Sequence, residues 1–309
     1  MTVVASPPSA HPSRLLFARQ RELLRLLDSL GGVAGMLDFQ KLLFLYCQEV
    51  SATAPYDFVP YKFGAFSFTS YADRRKLIER GLLEDEDGWM ITAEGRKLLG
   101  NTMDMRLAAF VKRHRGLRGD DLVANTYRRF PFYATRSEIA ERVLKGDTDA
   151  LARIKALRAK PAGPILSTIG YEGHSLERYL TKLLKNGSTL LCDVRRNPIS
   201  RKYGFSKSVL ERGCEGVGIR YEHLPELGIA SAQRQSLHTQ ADYDALFANY
   251  KRTLLPQQGA ALQSILKWIS SGERVALTCY EHLPNQCHRL CVAQAIEREA
   301  SKDLTAKHL

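Results

Sequence analysis

Beyond residue 164 the chain alternates four times between a short strand-like run and a longer helical stretch, and this alternation limits the fold more than any other feature. The runs are 165–169, 189–192, 219–222 and 275–277, and helical periodicity fills 176–185, 206–215, 243–254 and 260–270. Runs such as 275–277, apolar without in-and-out alternation, suit strands buried on both faces. Joined by crossover helices, they predict an α/β domain over 164–309, a mostly parallel sheet with helices on both faces.

Each run gives way at once to residues that carry chemistry. Gly170, Tyr171, Glu172, Gly173 and His174 follow the first; Asp193, Arg195 and Arg196 follow the second, with Arg201, Tyr203 and Phe205 close behind. His223 and Glu226 follow the third. The fourth leads into Cys279, Tyr280, Glu281 and His282, then past Pro284 and Asn285 to Cys287, His288 and Arg289. Parallel strands would gather all four clusters on one sheet edge, where open α/β sheets bind their ligands.

Arg195, Arg196, Arg201 and Arg289 offer forked donors for phosphate, and Gly170 and Gly173 would let backbone approach a ligand. Asp193 and Glu281 are the candidate catalytic carboxylates, available for acid–base work or for steadying a cationic transition state. An ion pair with Arg195 is the other reading of Asp193. Tyr171, Tyr203, Phe205 and Tyr280, with Gly170, Glu172, Cys287 and His288 beside them, would form a base pocket; a hydrogen bond at a helix start is the other reading of His288. Cys192 and Cys291 read as core packing. Thiol chemistry at Cys287 ranks behind carboxylate chemistry, because Pro284 and Asn285 interrupt the chain before it and a catalytic group needs rigid placement.

A formal charge of +12 points to an anionic partner, nucleic acid first. No apolar run approaches the roughly 18 residues of a membrane span. Residues 1–13 are Pro/Ser-rich without a signal peptide's basic-then-apolar order, which predicts a disordered leader. Six irregularly scattered cysteines fit reduced thiols in a cytoplasm. Cys287 and Cys291, with His282 and His288, have part of a zinc spacing but lack the second ligand pair, so no metal and no other cofactor is expected.

Residues 14–100 predict helices at 15–30, 36–50 and 70–80, two short strands about the acidic turn 84–87, and a last helix capped by Thr92. Leu-Ile-Glu-Arg-Gly-Leu-Leu, followed beyond the turn by Trp-Met-Ile-Thr-Ala-Glu-Gly-Arg-Lys-Leu-Leu, resembles a winged-helix module. The resemblance implies duplex DNA held by the helix before the wing, where Arg74 and Arg75 suit phosphate. The acidic wing tip opposes that contact, and such modules also bind proteins. Residues 101–160 predict a helical connector with a basic and aromatic face, Lys112, Arg113 and Arg115 leading to Arg128, Arg129, Phe130 and Tyr133; a solvated helix with its aromatic side in the core is the alternative. Residues 160–164 read as a linker between two units.

Thr-Ile-Gly-Tyr-Glu-Gly, Asp-Val-Arg-Arg-Asn-Pro-Ile-Ser-Arg, Tyr-Glu-His-Leu-Pro-Glu-Leu-Gly and Cys-Tyr-Glu … Gln-Cys-His-Arg, in order over 165–297, resemble the prokaryotic family called domain of unknown function 488. The resemblance implies a fold and, through some members, a link to DNA repair or antiphage defence. With the residues above, the expectation is a DNA-binding enzyme that acts on a nucleotide, cleaving an N-glycosidic bond of a flipped-out base. One alternative is a winged-helix transcription regulator with a non-catalytic sensing domain. Another is a cysteine enzyme of the rhodanese or phosphatase kind, though Arg289 stands ten residues after Cys279, outside the tight loop such enzymes use.

Overall fold

The structure is a computed structural model that describes residues 16–50, 53–100, 104–158, 165–234, 237–300 and 304–309. The expected leader and the linker at 160–164 lie outside these. Among the described residues no helix is long and apolar enough to cross a membrane.

The N-terminal half is mainly helical. Its order is α1 (Ala18–Ser29), β1 (Val33–Ala34), α2 (Met36–Glu49), the hairpin β2 (Val59–Tyr61) and β3 (Gly64–Phe66), α3 (Phe68–Glu79), β4 (Trp89–Met90) and α4 (Ala93–Leu99). Then follow α5 (Met105–His114), α6 (Gly119–Arg129), α7 (Ala140–Val143) and α8 (Thr148–Leu157). Thr92 caps α4 as expected, its hydroxyl accepting from the Gly95 amide. Of the two strands expected around the acidic turn, the second is present as β4, which pairs antiparallel with β1, while the first is reduced to a single bridge, Leu83 to Ile91. Trp89 explains the difference: it is fully buried against Phe39 of α2, and that contact draws β4 toward β1.

Lys41 puts an amine into this core. The periodicity of α2 turns it inward, where it is 1% exposed and donates to the Ala65 carbonyl at 2.8 Å. Burial pushes its pKa down to about 7. An unfolded lysine titrates near 10.4, so between about pH 7 and that value the unfolded chain holds a proton that the folded chain has released. Stability should therefore rise with pH across this window. Lys41→Met is expected to flatten the rise and to stabilise the fold at neutral pH; denaturant midpoints of both proteins at about pH 7 and about pH 9 check it.

The C-terminal half is the α/β domain the sequence predicts. In order it runs β5 (Leu166–Gly170), α9 (Leu176–Lys185), β6 (Leu190–Asp193), α10 (Lys207–Gly216), β7 (Arg220–His223), α11 (Gln240–Thr253), α12 (Gly259–Ser270), β8 (Val275–Cys279), α13 (Arg289–Glu299) and β9 (Lys307–His308). Every pairing in the sheet is parallel, with strand order β7-β6-β8-β5-β9. Side chains alternate along each strand. Val275, Leu277 and Cys279 of β8 pack in one core with Ile265 of α12 and Val292 of α13, whereas Ala276 packs on the other face with Leu180 of α9 and Leu210 of α10. Helices thus cover both faces. β8 lies between β5 and β6, so the loops after these three strands converge.

The two halves are joined by buried contacts. Val59 of β2 sits in the core beneath α9, and the enclosed carboxylate of Glu177 accepts from the Ser67 and Thr69 hydroxyls and from the Thr69 amide. Asp57 pairs with Arg178 and accepts from Ser175.

Candidate functional site

The converging loops enclose a charged knot. Asp193 ends β6 and is 0% exposed. Its Oδ1 accepts from the Arg195 amide at 3.1 Å and from Arg195 Nε at 2.8 Å, and its Oδ2 accepts from the Tyr221 hydroxyl at 2.7 Å. Arg195 Nη1 donates to the Phe205 carbonyl at 2.8 Å and to the Tyr171 hydroxyl at 3.1 Å. Burial, reinforced by the neighbouring Asp193 carboxylate, pushes the Tyr221 phenol far up. The carboxylate and guanidinium expected to serve catalysis and phosphate are spent on each other, and the alternative reading of Asp193 as a loop-fixing ion pair matches this geometry.

The aromatic pocket is likewise half closed. Tyr171 and Phe205 are buried and stack on each other, ring centroids 4.4 Å apart and planes within 9°. They form a wall, with no room for a base between them. Tyr280 and Tyr203 remain outside, 45% and 38% exposed, Tyr280 meeting Tyr171 edge-on and Tyr203 donating to the Phe68 carbonyl. Glu172 is exposed and accepts from the His282 amide.

Gly170 and Arg289 shape the loop after β8. A Cβ on Gly170 would stand 1.8 Å from the Glu281 carbonyl oxygen, so the glycine admits protein backbone where a ligand was expected. Arg289 is 0% exposed and gives its donors to the Glu281 and His282 carbonyls and to the Thr168 hydroxyl. It braces the loop and presents no face to phosphate. Arg196 and Arg201 are exposed at the same edge and keep that capacity. Arg74, expected on DNA, instead holds the acidic turn: it donates to the Gly88 and Glu86 carbonyls and lies over the Trp89 ring. Arg75 is exposed.

Glu281 is 8% exposed; one carboxylate oxygen pairs with Arg234, and the other accepts from the Cys279 thiol at 3.4 Å. No sequence pattern points to Arg234, since it arrives from a short turn 47 residues upstream of Glu281. Cys279, Cys287 and His288 form a buried cluster beside it, with one ligand atom from each all within 4.8 Å of one another. Here the expectation of a loosely placed Cys287 is overturned: it is 0% exposed and its amide donates to the Pro284 carbonyl at 3.0 Å, closing the turn that the Pro-Asn break forms. A hydrogen bond from Cys287 pulls the Cys279 thiol well below the usual range, whereas burial raises Cys287. Cys192 and Cys291 lie in the apolar core, as expected.

In the connector the aromatic side faces inward. Phe130 and Tyr133 pack edge-on against Phe44, and Glu49 gathers Arg113, His114 and Arg129. Lys112 and Arg115 stay exposed and, with Arg25, Arg106 and Arg118, line an open groove of about 1020 Å³.

No curated protein and no solved structure matches the chain. A family model does match the part that holds most of the sheet edge, leaving β5 and the Gly170–Tyr171 turn before it: residues 175–296 fit the family described as Domain of unknown function DUF488.

Proposed function

We propose that the protein binds duplex DNA and that its α/β domain acts on a base of the bound strand by breaking an N-glycosidic bond. The observation that carries the reading is the basic groove, where five arginine and lysine side chains face two carboxylates, Asp28 and Asp104. A groove with that surplus attracts a phosphate backbone. The helix–strand–helix order of α1 to α2, with α3 and the β1–β4 pairing after it, supports the same reading, since a winged helix is assembled in this way. At the sheet edge, exposed Arg196, Arg201 and Tyr280 would meet the strand. Glu281, rather than the enclosed Asp193, would be the acting carboxylate.

Binding should weaken steeply with salt. Lys112→Ala with Arg115→Ala is expected to reduce the slope of log affinity against log salt by about 0.9 for each phosphate the variant no longer neutralises. An unchanged slope in the double variant would place DNA elsewhere. For the reaction, duplexes carrying modified bases are assayed for released base and alkali-labile abasic sites. Product formation that survives Glu281→Gln rules out the carboxylate mechanism.

A further inference from the structure

We infer that Cys279, Cys287 and His288 form a binding site for a thiophilic, tetrahedral divalent cation, zinc by its chemistry. The inference goes beyond the glycosidic reading, stands independently of it, and reverses the expectation of no metal.

Geometry carries the argument. Zinc–sulfur bonds of about 2.3 Å and zinc–nitrogen bonds of about 2.05 Å, at a tetrahedral angle, separate the sulfur and nitrogen by about 3.6 Å. Cys279 Sγ and His288 Nδ1 are 3.8 Å apart, and the Cys287 sulfur completes a set within 4.8 Å. The imidazole is also set in the form a metal requires. Nε2 lies 2.9 Å from the Val194 carbonyl, an acceptor, so it carries the proton and leaves the Nδ1 lone pair facing Cys279. Metal-bound histidines are oriented in just this fashion, by a second hydrogen bond from the far nitrogen to a carbonyl or carboxylate.

The scaffold supplies the rigidity. Cys279 is the last residue of β8, the central strand, and His288 immediately precedes α13. All three side chains are buried, at 0%, 0% and 1% exposure. Cys47, Cys192, Cys214 and Cys291 also lie among apolar side chains of the cores, but none of them joins a cluster of ligand atoms among the described residues. Ordinary packing accounts for those four; it does not account for two thiols converging on an imidazole lone pair. Glu281 touches the cluster through Cys279, but its carboxylate does not belong to the set of ligand atoms that lie within 4.8 Å of one another. We therefore assign three protein ligands, with the fourth position left to water or to an oxygen of a bound molecule, the pattern of an open zinc site.

The test uses the full-length protein produced in zinc-supplemented medium. Elemental analysis should find one zinc per chain, released when a mercurial titrates the thiols. Cobalt(II) bound in its place should show intense thiolate-to-metal charge transfer in the near ultraviolet and tetrahedral visible bands. Cys287→Ser and His288→Gln should each weaken cobalt binding at least about tenfold, the loss that removal of even an outer partner causes. Cys291→Ala, four residues from Cys287 but outside the cluster, should bind cobalt as the parent does. The parent's own metal content and spectrum decide the matter if a ligand variant fails to fold. A parent without zinc whose cobalt spectrum lacks the thiolate band, or one with Cys279 and Cys287 joined as a disulfide, overturns the proposal. Metal binding with no DNA product would remove the glycosidic reading and leave this one standing; a metal-free protein that still releases base would do the reverse.

Discussion

Asp193→Asn should lower the stability of the α/β domain by about 3–5 kcal/mol, the loss seen when one partner of a buried ion pair is removed. The substitution preserves shape and removes the charge. Arg195 would then stand buried, at 5% exposure, with a full positive charge and no anion beside it. The fork now held by both carboxylate oxygens would meet an amide that presents one acceptor and one donor. The Tyr221 hydroxyl, which donates to Oδ2, would lose its charged acceptor as well. Replacing both partners should cost much less: Asp193→Asn with Arg195→Met leaves no orphaned charge, and such exchanges of a buried pair are often near neutral. Urea unfolding of the parent, the single variant and the double variant forms the test. A single variant that unfolds at the parent's midpoint would mean that water reaches Arg195 and that the pair is not buried in solution.

This pair also marks how far a sequence can be read. The boundaries of α9 were legible to the residue from helical periodicity over 176–185; the Ser175 hydroxyl that caps it, accepting from the Arg178 amide, is what the structure adds. Of the four long strands, β8 was legible as an apolar run, whereas β7, Arg-Tyr-Glu-His, was legible only through its place in the strand–helix alternation; their shared edge followed from the parallel connections. β9 was not legible, since Lys307 and His308 are polar and join the sheet through backbone pairing with β5 and a hydrogen bond between the His308 ring and the Thr168 hydroxyl. Within the site, residue type was legible and occupancy was not. An arginine that binds phosphate and one whose donors are spent on carbonyls, as in Arg289, look alike in a string of letters. Cys279 and Cys287 are eight residues apart, and no local pattern announces that the end of β8 and the start of α13 bring their sulfurs together with His288. Arg234 and Tyr221 reach the two carboxylates from other elements, so only tertiary structure reveals them.

The second large effect is expected at Gly170. Its Gly-Tyr-Glu-Gly setting suggests room for a ligand, whereas the chain uses the missing side chain to pass one backbone close to another. An alanine Cβ would lie 1.8 Å from the Glu281 oxygen, 2.6 Å from its carbonyl carbon and 3.1 Å from the His282 Cα. No flexible side chain is available to swing aside, so backbone must move. The loop that would have to yield is held at both carbonyls by buried Arg289, and the Tyr171 and Glu172 amides donate to the Cys279 and Tyr280 carbonyls on the same stretch. Overpacking costs about 1–3 kcal/mol and occasionally more; a collision of backbone with backbone belongs at the top of that range. Gly173→Ala is the control. Its φ of +75° strains an alanine, but open space surrounds the position, and the expected cost is about 1–2 kcal/mol. Gly170→Ala should therefore unfold at lower denaturant than Gly173→Ala. It should also speed the reaction of Cys279 and Cys287 with a thiol reagent, because the loop that displaces is the one that covers them. If Gly170→Ala matches the parent in both midpoint and thiol protection, the close approach of β5 to the Glu281 loop does not exist in solution.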